Sequence, residues 1–181
     1  MLILGIDPGS RVTGYGIIDA SSGDETPVAF GTVRLDTSDS HPDRLKEIFD
    51  ALTDLICEHT PDALAIEMPV YGQNPQSMLK LGRAQAAAML AGLNQDLSVA
   101  QYTPKEIKKS VTGNGNASKT QVQYMVRSIL NLEKGTSGFT HDAADALAVA
   151  LCHSNRGSHG ETQSYTGWAS FVANNPDRVS E

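Results

Sequence analysis

Positive charge is scarce in this sequence: 14 Lys and Arg stand against 21 Asp and Glu, a formal net charge of −7. Taken alone, that balance argues against a polyanion such as nucleic acid as partner. Cysteine is scarcer still. Only Cys57 and Cys152 are present, which excludes a disulfide scaffold and fits a reducing cytoplasm. No apolar run approaches the roughly 20 residues that span a bilayer. The opening MLILGI lacks the basic start and small-residue cleavage site of a signal peptide. Neither GxSxG, GxGxxG nor GxxxxGK[ST] occurs, so the simplest hydrolase, dinucleotide and P-loop readings fall away. None of the five histidines has metal-ligand spacing with a cysteine; His141 is expected to face solvent. Both cysteines lie in helical patterns and are expected as core fillers.

What remains is one ordinary domain's length, 181 residues, with 40% hydrophobic and 19% charged residues. A packed core is therefore expected. Leu2–Asp7, 14–18 and 29–35 read as three strands close in sequence, hence an antiparallel meander. Residues 43–59 repeat apolar positions at helical spacing. Then come a short buried strand at 63–67, a Leu- and Ala-rich helix over 76–94, and a strand at 99–102. Pro104 opens a short helix, Ser118 or Asn116 caps a helix over 119–131, and Thr140 caps a last one over 142–153. The order β-β-β-α-β-α-β-α-α-α gives an α/β domain with a mixed sheet. Residues 1–154 form that domain, and 155–181 read as a polar, flexible tail.

The charge is unevenly placed. Residues 19–62 hold eleven acids against three bases, a net of −8, whereas 76–134 hold eight bases against three acids, a net of +5. A chain divided in this way can turn one basic face to a polyanion despite its overall sign. Two solvated faces of opposite charge would show the same division.

Four acids sit where acids are costly. Asp7 ends the apolar strand ILGID and Glu67 ends ALAIE, while Asp142 and Asp145 lie in DAADALAVAL, on one helix face by their i, i+3 spacing. Asp7 before Pro-Gly could be a turn residue, and Asp142 a first-turn acid favoured by the helix dipole. Glu67 and Asp145 serve neither role. Two strand ends and one helix face can meet at one sheet edge, and four carboxylates there call for a divalent cation with hard oxygen ligands, Mg²⁺ or Mn²⁺.

With those residues in view, the chain resembles the RuvC family of bacterial Holliday-junction resolvases, within the RNase H-like (retroviral-integrase) superfamily. The blocks are LGIDPGSRVTGYGII from Leu4, AIE at 65–67, LKLGRAQ at 79–85, KTQVQYMVR at 119–127 and DAADALAVA at 142–150. They cover nearly everything before the polar tail, and in this order they are highly specific. The resemblance implies an RNase H-like fold: a mixed five-stranded sheet with helices on both faces. It implies that Asp7, Glu67, Asp142 and Asp145 hold two Mg²⁺ ions per subunit, with Mn²⁺ a possible substitute. The activity implied is resolution of four-way DNA junctions in recombination and repair, by paired nicks leaving 5′-phosphate and 3′-hydroxyl ends.

It also implies a cytoplasmic bacterial homodimer working with the RuvA–RuvB branch-migration complex. Lys108 and Lys119 match basic family positions that face DNA, and Lys105 and Lys109 could add phosphate contacts. The family's aromatic three residues after the strand-end Glu is replaced by Val70. Tyr71 follows one position later and either takes the stacking role or covers the sheet edge. Gln73 stands where a lysine is common. Two further readings are a ribonuclease H-like nuclease and a non-catalytic junction-binding module. An actin-like phosphotransferase, suggested by GIDPGS, needs two such lobes, and the chain is too short for them.

Overall fold

A computed structural model of the chain describes residues 1–69 and 74–157. Five strands form one sheet: β1 (Leu2–Asp7), β2 (Val12–Asp19), β3 (Thr26–Arg34), β4 (Ala63–Glu67) and β5 (Ser98–Tyr102). The first three pair as an antiparallel meander. β4 runs parallel to β1, and β5 parallel to β4, giving the order β3-β2-β1-β4-β5. Five helices complete the chain: α1 (His41–His59), α2 (Pro75–Leu93), α3 (Pro104–Thr112), α4 (Lys119–Ile129) and α5 (His141–Gly157). The element order expected from the sequence is the one found. β2 and β3 begin two and three residues earlier than expected, and α5 continues four residues beyond His153. Trp168 and the rest of the expected tail from 158 on lie outside the described residues.

The sheet separates two cores, and strand alternation decides which side chains enter each. Leu4, Ile6, Ile17, Leu64 and Ile66 pack with Ile48, Leu52 and Ile56 of α1 and the alanines of α2. Ile3, Ile18 and Ala65 point the other way, to Ile107 and Val111 of α3, Val122 and Val126 of α4, and the alanines and leucines of α5. By the same parity Asp7 continues the row of Ile3 and Gly5, and Glu67 the row of Ala65. Both strand-end acids therefore belong to the α5 face.

That face is built for close approach. A Cβ on Gly5 would lie 2.2 Å from the Ala146 carbonyl oxygen and 2.7 Å from the Ala150 nitrogen. One on Gly14 would lie 2.0 Å from the Asp142 carbonyl oxygen. No real side chain tolerates such distances, so the backbone of α5 rests directly on the backbone of β1 and β2. The helix is Ala-rich for the same reason. Thr140 starts it, its Oγ1 accepting the Ala143 N–H at 3.2 Å.

The cysteines divide. Cys152 is buried, as expected, but Cys57 is exposed. It follows the buried Ile56 on α1 and lies off the Ile48–Leu52–Ile56 stripe that the sheet covers, so the core-filler expectation fails for it. His141 is exposed, as its sequence context suggested.

Candidate active site

Strand pairing places the two strand-end acids side by side. β1 and β4 are parallel neighbours with Ile6 opposite Ile66, so Asp7 and Glu67 emerge together at the carboxyl ends of adjacent central strands. Across β1, Asp7 pairs with Gly14, the residue on which the Asp142 backbone rests. Asp142 is thus brought beside Asp7 by the absence of a side chain. Asp145, one helical turn on, turns into a cleft of about 270 Å³ with Asp7, Glu67, Lys108 and Lys119 on its walls. Pro104, Ile107, Val122 and Ala148 complete the lining. These apolar neighbours carry no chemical signal in the sequence.

The cations come from two helix starts. Ser118 caps α4 in a reciprocal box with Gln121, making Lys119 the first helical residue. Its Nζ lies 3.1 Å from Asp145 Oδ2. Thr103 and Glu106 form the same device at α3, and Lys108 follows Pro104 by one turn. Lys105 and Lys109 are exposed and do not line the acid cleft. Lys109 lines a different one, with Glu106, Ser110 and Arg156. Val70, Tyr71 and Gln73 lie outside the described residues.

The electrostatics follow from the crowding. Burial, and next the charges of Asp145 and Asp142, push the Asp7 carboxyl up to about 6, against an opposing pull from Lys119. Burial, and next Asp7 and Asp145, push Glu67 up to about 8, with Lys119 and Lys108 opposing. Lys119 is itself raised, first by its hydrogen bond to Asp145 and then by the charges of the acids. Asp7 and Glu67 resist ionising first because they are buried and then because other acids are near, and the nearby lysines oppose both effects. Among the described residues no three His, Cys, Asp or Glu side chains form a ready-made ion cage. The donor set is nevertheless all carboxylate oxygen, it converges at one sheet edge, and its electrostatic deficit is positive charge. That chemistry fits a hard divalent cation.

Residues 3–153 match the family described as crossover junction endodeoxyribonuclease RuvC. A protein of that name from Salinibacter ruber is 69% identical over 181 residues, covering 100% of both chains. Another from Christiangramia forsetii is 45% identical, covering 98% of this chain and 92% of its own. Among solved structures, Thermus thermophilus RuvC in complex with Holliday junction substrate superposes with a TM-score of 0.78 at 26% identity, over 88% of this chain and 96% of that one. The fold is accordingly that of RNase H-like resolvases, and all four acids lie within the matched span. Sheet order, site and sequence point the same way: the chain belongs to the RuvC family of crossover junction endodeoxyribonucleases.

Proposed function

We propose that this chain resolves four-way DNA junctions by hydrolysing one phosphodiester per subunit, in two strands of like polarity, leaving 5′-phosphate and 3′-hydroxyl ends. The observation that carries the reading is the convergence of Asp7, Glu67 and Asp145, with Asp142 alongside, on a cleft that also holds Lys108 and Lys119.

Asp7, Glu67, Asp142 and Asp145 are the residues that would hold two Mg²⁺ ions, with Mn²⁺ as possible substitute. When bound, such ions supply an activated water and compensate charge on the leaving 3′ oxygen. The chain's own contribution is separable. The strand ends fix Asp7 and Glu67 against each other through the β1–β4 pairing. The seated helix fixes Asp142 and Asp145 relative to both. Lys119 and Lys108 place positive charge on the cleft wall opposite the acids, where the scissile phosphate gains negative charge. Ile107, Val122 and Ala148 give the cleft its apolar wall. Lys105 and Lys109 stand as phosphate contacts outside the cleft, and Tyr71 is assigned from its sequence position to stack against a base.

A junction has approximate two-fold symmetry, and a C₂ homodimer with one site per subunit meets it. The exposed Leu79, Leu90 and Leu93 of α2, and the apolar groove that Leu90 forms with Leu45 and Phe49 of α1, support dimerisation through that side. Among the described residues no helix is long and apolar enough to cross a membrane. We place the enzyme in the bacterial cytoplasm, acting on junctions presented by RuvA–RuvB.

The test is a synthetic four-way junction incubated with Mg²⁺, wild type beside Asp7→Asn. Symmetric paired nicks by the wild type, and binding without cutting by the variant, are expected. Intact junctions with cut RNA–DNA hybrids would favour a ribonuclease H-like enzyme. Bound but uncut junctions with both Mg²⁺ and Mn²⁺ would favour a binding module.

A further inference from the structure

The turn that follows Asp7 is tied to a group of bases the catalytic cleft does not use. Arg44 of α1 donates from Nη1 to the Ser10 carbonyl oxygen at 3.1 Å, three residues beyond Asp7. His41 lies one turn before Arg44. Lys80 and Arg83 are exposed one turn apart on α2, on the helix that packs beside α1 in the same core. Arg83 reaches α1 itself, where it lines a groove with Leu45 and Phe49.

Among the described residues this group has no carboxylate partner. Both imidazole nitrogens of His41 and the Arg44 Nε are shut off from solvent without a hydrogen-bond partner. Partial burial, then the charges of Arg83, Arg44 and Lys80, hold the His41 imidazole below its usual value. On α1, Asp43 accepts from Ser40 and Asp50 is paired by Lys46, while Glu47, one turn after Arg44, forms no ion pair among the described residues. Among the described residues no carboxylate forms an ion pair with Arg44, Lys80 or Arg83. The exposed ammonium of Lys80 and guanidinium of Arg83, with no carboxylate partner among the described residues, are complementary to phosphate oxygens.

Resting on the junction-cutting reading above, we infer that Lys80 and Arg83, beside the turn that Arg44 holds, form a second phosphate-holding surface that takes the DNA backbone leading away from the cut. It lies on the α1–α2 side of the sheet, opposite the flank that carries Lys108 and Lys119. The cut strand is then gripped on both sides of Asp7. The grip reads no sequence, since phosphate contacts position DNA without specifying it.

The experiment measures junction affinity against salt concentration, without divalent metal so that nothing is cut, for wild type, Lys80→Gln, Arg83→Gln and the double variant. Each single change is expected to lower the salt slope by about one, and the double by about two. The double variant should bind both junction and linear duplex roughly tenfold more weakly at moderate salt. Its turnover at saturating junction with Mg²⁺ should stay within about twofold of wild type, because neither side chain lines the cleft. Arg83 borders the apolar groove of α2, so light scattering follows the oligomeric state. Lys80→Gln, which does not touch that groove, must show its own slope change in an unaltered assembly. Unchanged slope and affinity in the double variant, while wild type still binds and cuts junctions, would overturn this surface alone. A wild type that neither binds nor cuts junctions would instead overturn the functional reading on which it rests.

Discussion

The two faces of the sheet solve the same packing problem in opposite ways. On the α1–α2 face, Leu4, Ile6, Ile17, Leu64 and Ile66 stand up from the strands and hold the helices at side-chain distance. On the α5 face, Gly5 and Gly14 let a helix backbone rest on the strand backbone. Both arrangements bury apolar area. Only the second brings helix-borne and strand-borne carboxylates within one cleft. A helix held off by isoleucines would carry Asp142 and Asp145 farther from Asp7 and Glu67, and the four acids would no longer interact. The geometry of the acid cleft is a consequence of how thin one interface is.

The largest expected effect tests the acids themselves. Asp7→Asn should lower turnover on a junction by on the order of 10³-fold, with binding nearly intact and Tm in metal-free buffer unchanged or raised. Cutting within tenfold of wild type would show that Asp7 lies outside the reaction. Next comes the thin interface. Gly5→Ala forces Ala146 and Ala150 of α5 away, and should destabilise by about 3 kcal/mol or more while cutting falls at least tenfold. On the opposite face Ile66→Val should cost about 1 kcal/mol and leave turnover unchanged. Equal losses of activity per unit of stability in the two variants would erase the distinction between faces.

A smaller effect is pH-dependent. Carboxyls pushed up to about 6 at Asp7 and about 8 at Glu67 bind protons more tightly folded than unfolded. Their stabilising contribution is complete below the ordinary carboxylate range and is lost as pH rises through those values. His41 and His153 have lowered values and act with opposite sign, but in the range below their unfolded value. Between about pH 7 and pH 9 the metal-free protein should therefore lose Tm, and millimolar Mg²⁺ should restore it at the alkaline end by favouring the ionised acids. Calorimetry showing a flat or rising metal-free Tm over that interval would contradict the crowding of the acids. The smallest effect on stability belongs to Lys119→Gln. The lysine side chain is 76% exposed, so loss of its pair with Asp145 should cost less than about 1 kcal/mol, whereas turnover should fall about tenfold or more. A variant that keeps full turnover would reduce the pair to a surface contact.

Much of this was legible in the chain. The order of ten elements followed from periodicity and caps, and Ser118 and Thr140 start the helices that carry Lys119 and the paired aspartates. The four acids stood out because charge at the end of ILGID and ALAIE, or inside DAADALAVAL, opposes local hydrophobicity. The seat under α5 was not read, although Gly5 and Gly14 were in plain sight beside the alanines that fill it. A glycine reports permission for close approach but not which partner approaches, and the partners lie 128 to 145 residues away. The contact of the Lys119 ammonium with Asp145 joins residues 26 apart, a distance no spacing rule encodes. Cys57 is exposed against the core-filler expectation because a helical pattern alone does not say where the buried stripe ends. The Arg44–Ser10 contact joins residues 34 apart and left no trace in either local motif.

The backbone-on-backbone contact between α5 and the strands also bears on how this enzyme can diverge. Where side chains interlock, a loss on one side can be answered by a larger neighbour on the other, and sequences drift through such exchanges. Between Gly5 and Ala146 there is nothing left to trim and no room to add. That seam admits almost no compensating pairs. New substrate preferences must therefore arise at the cleft's rim and in the loops beyond it, while the geometry of the acids is inherited as a unit.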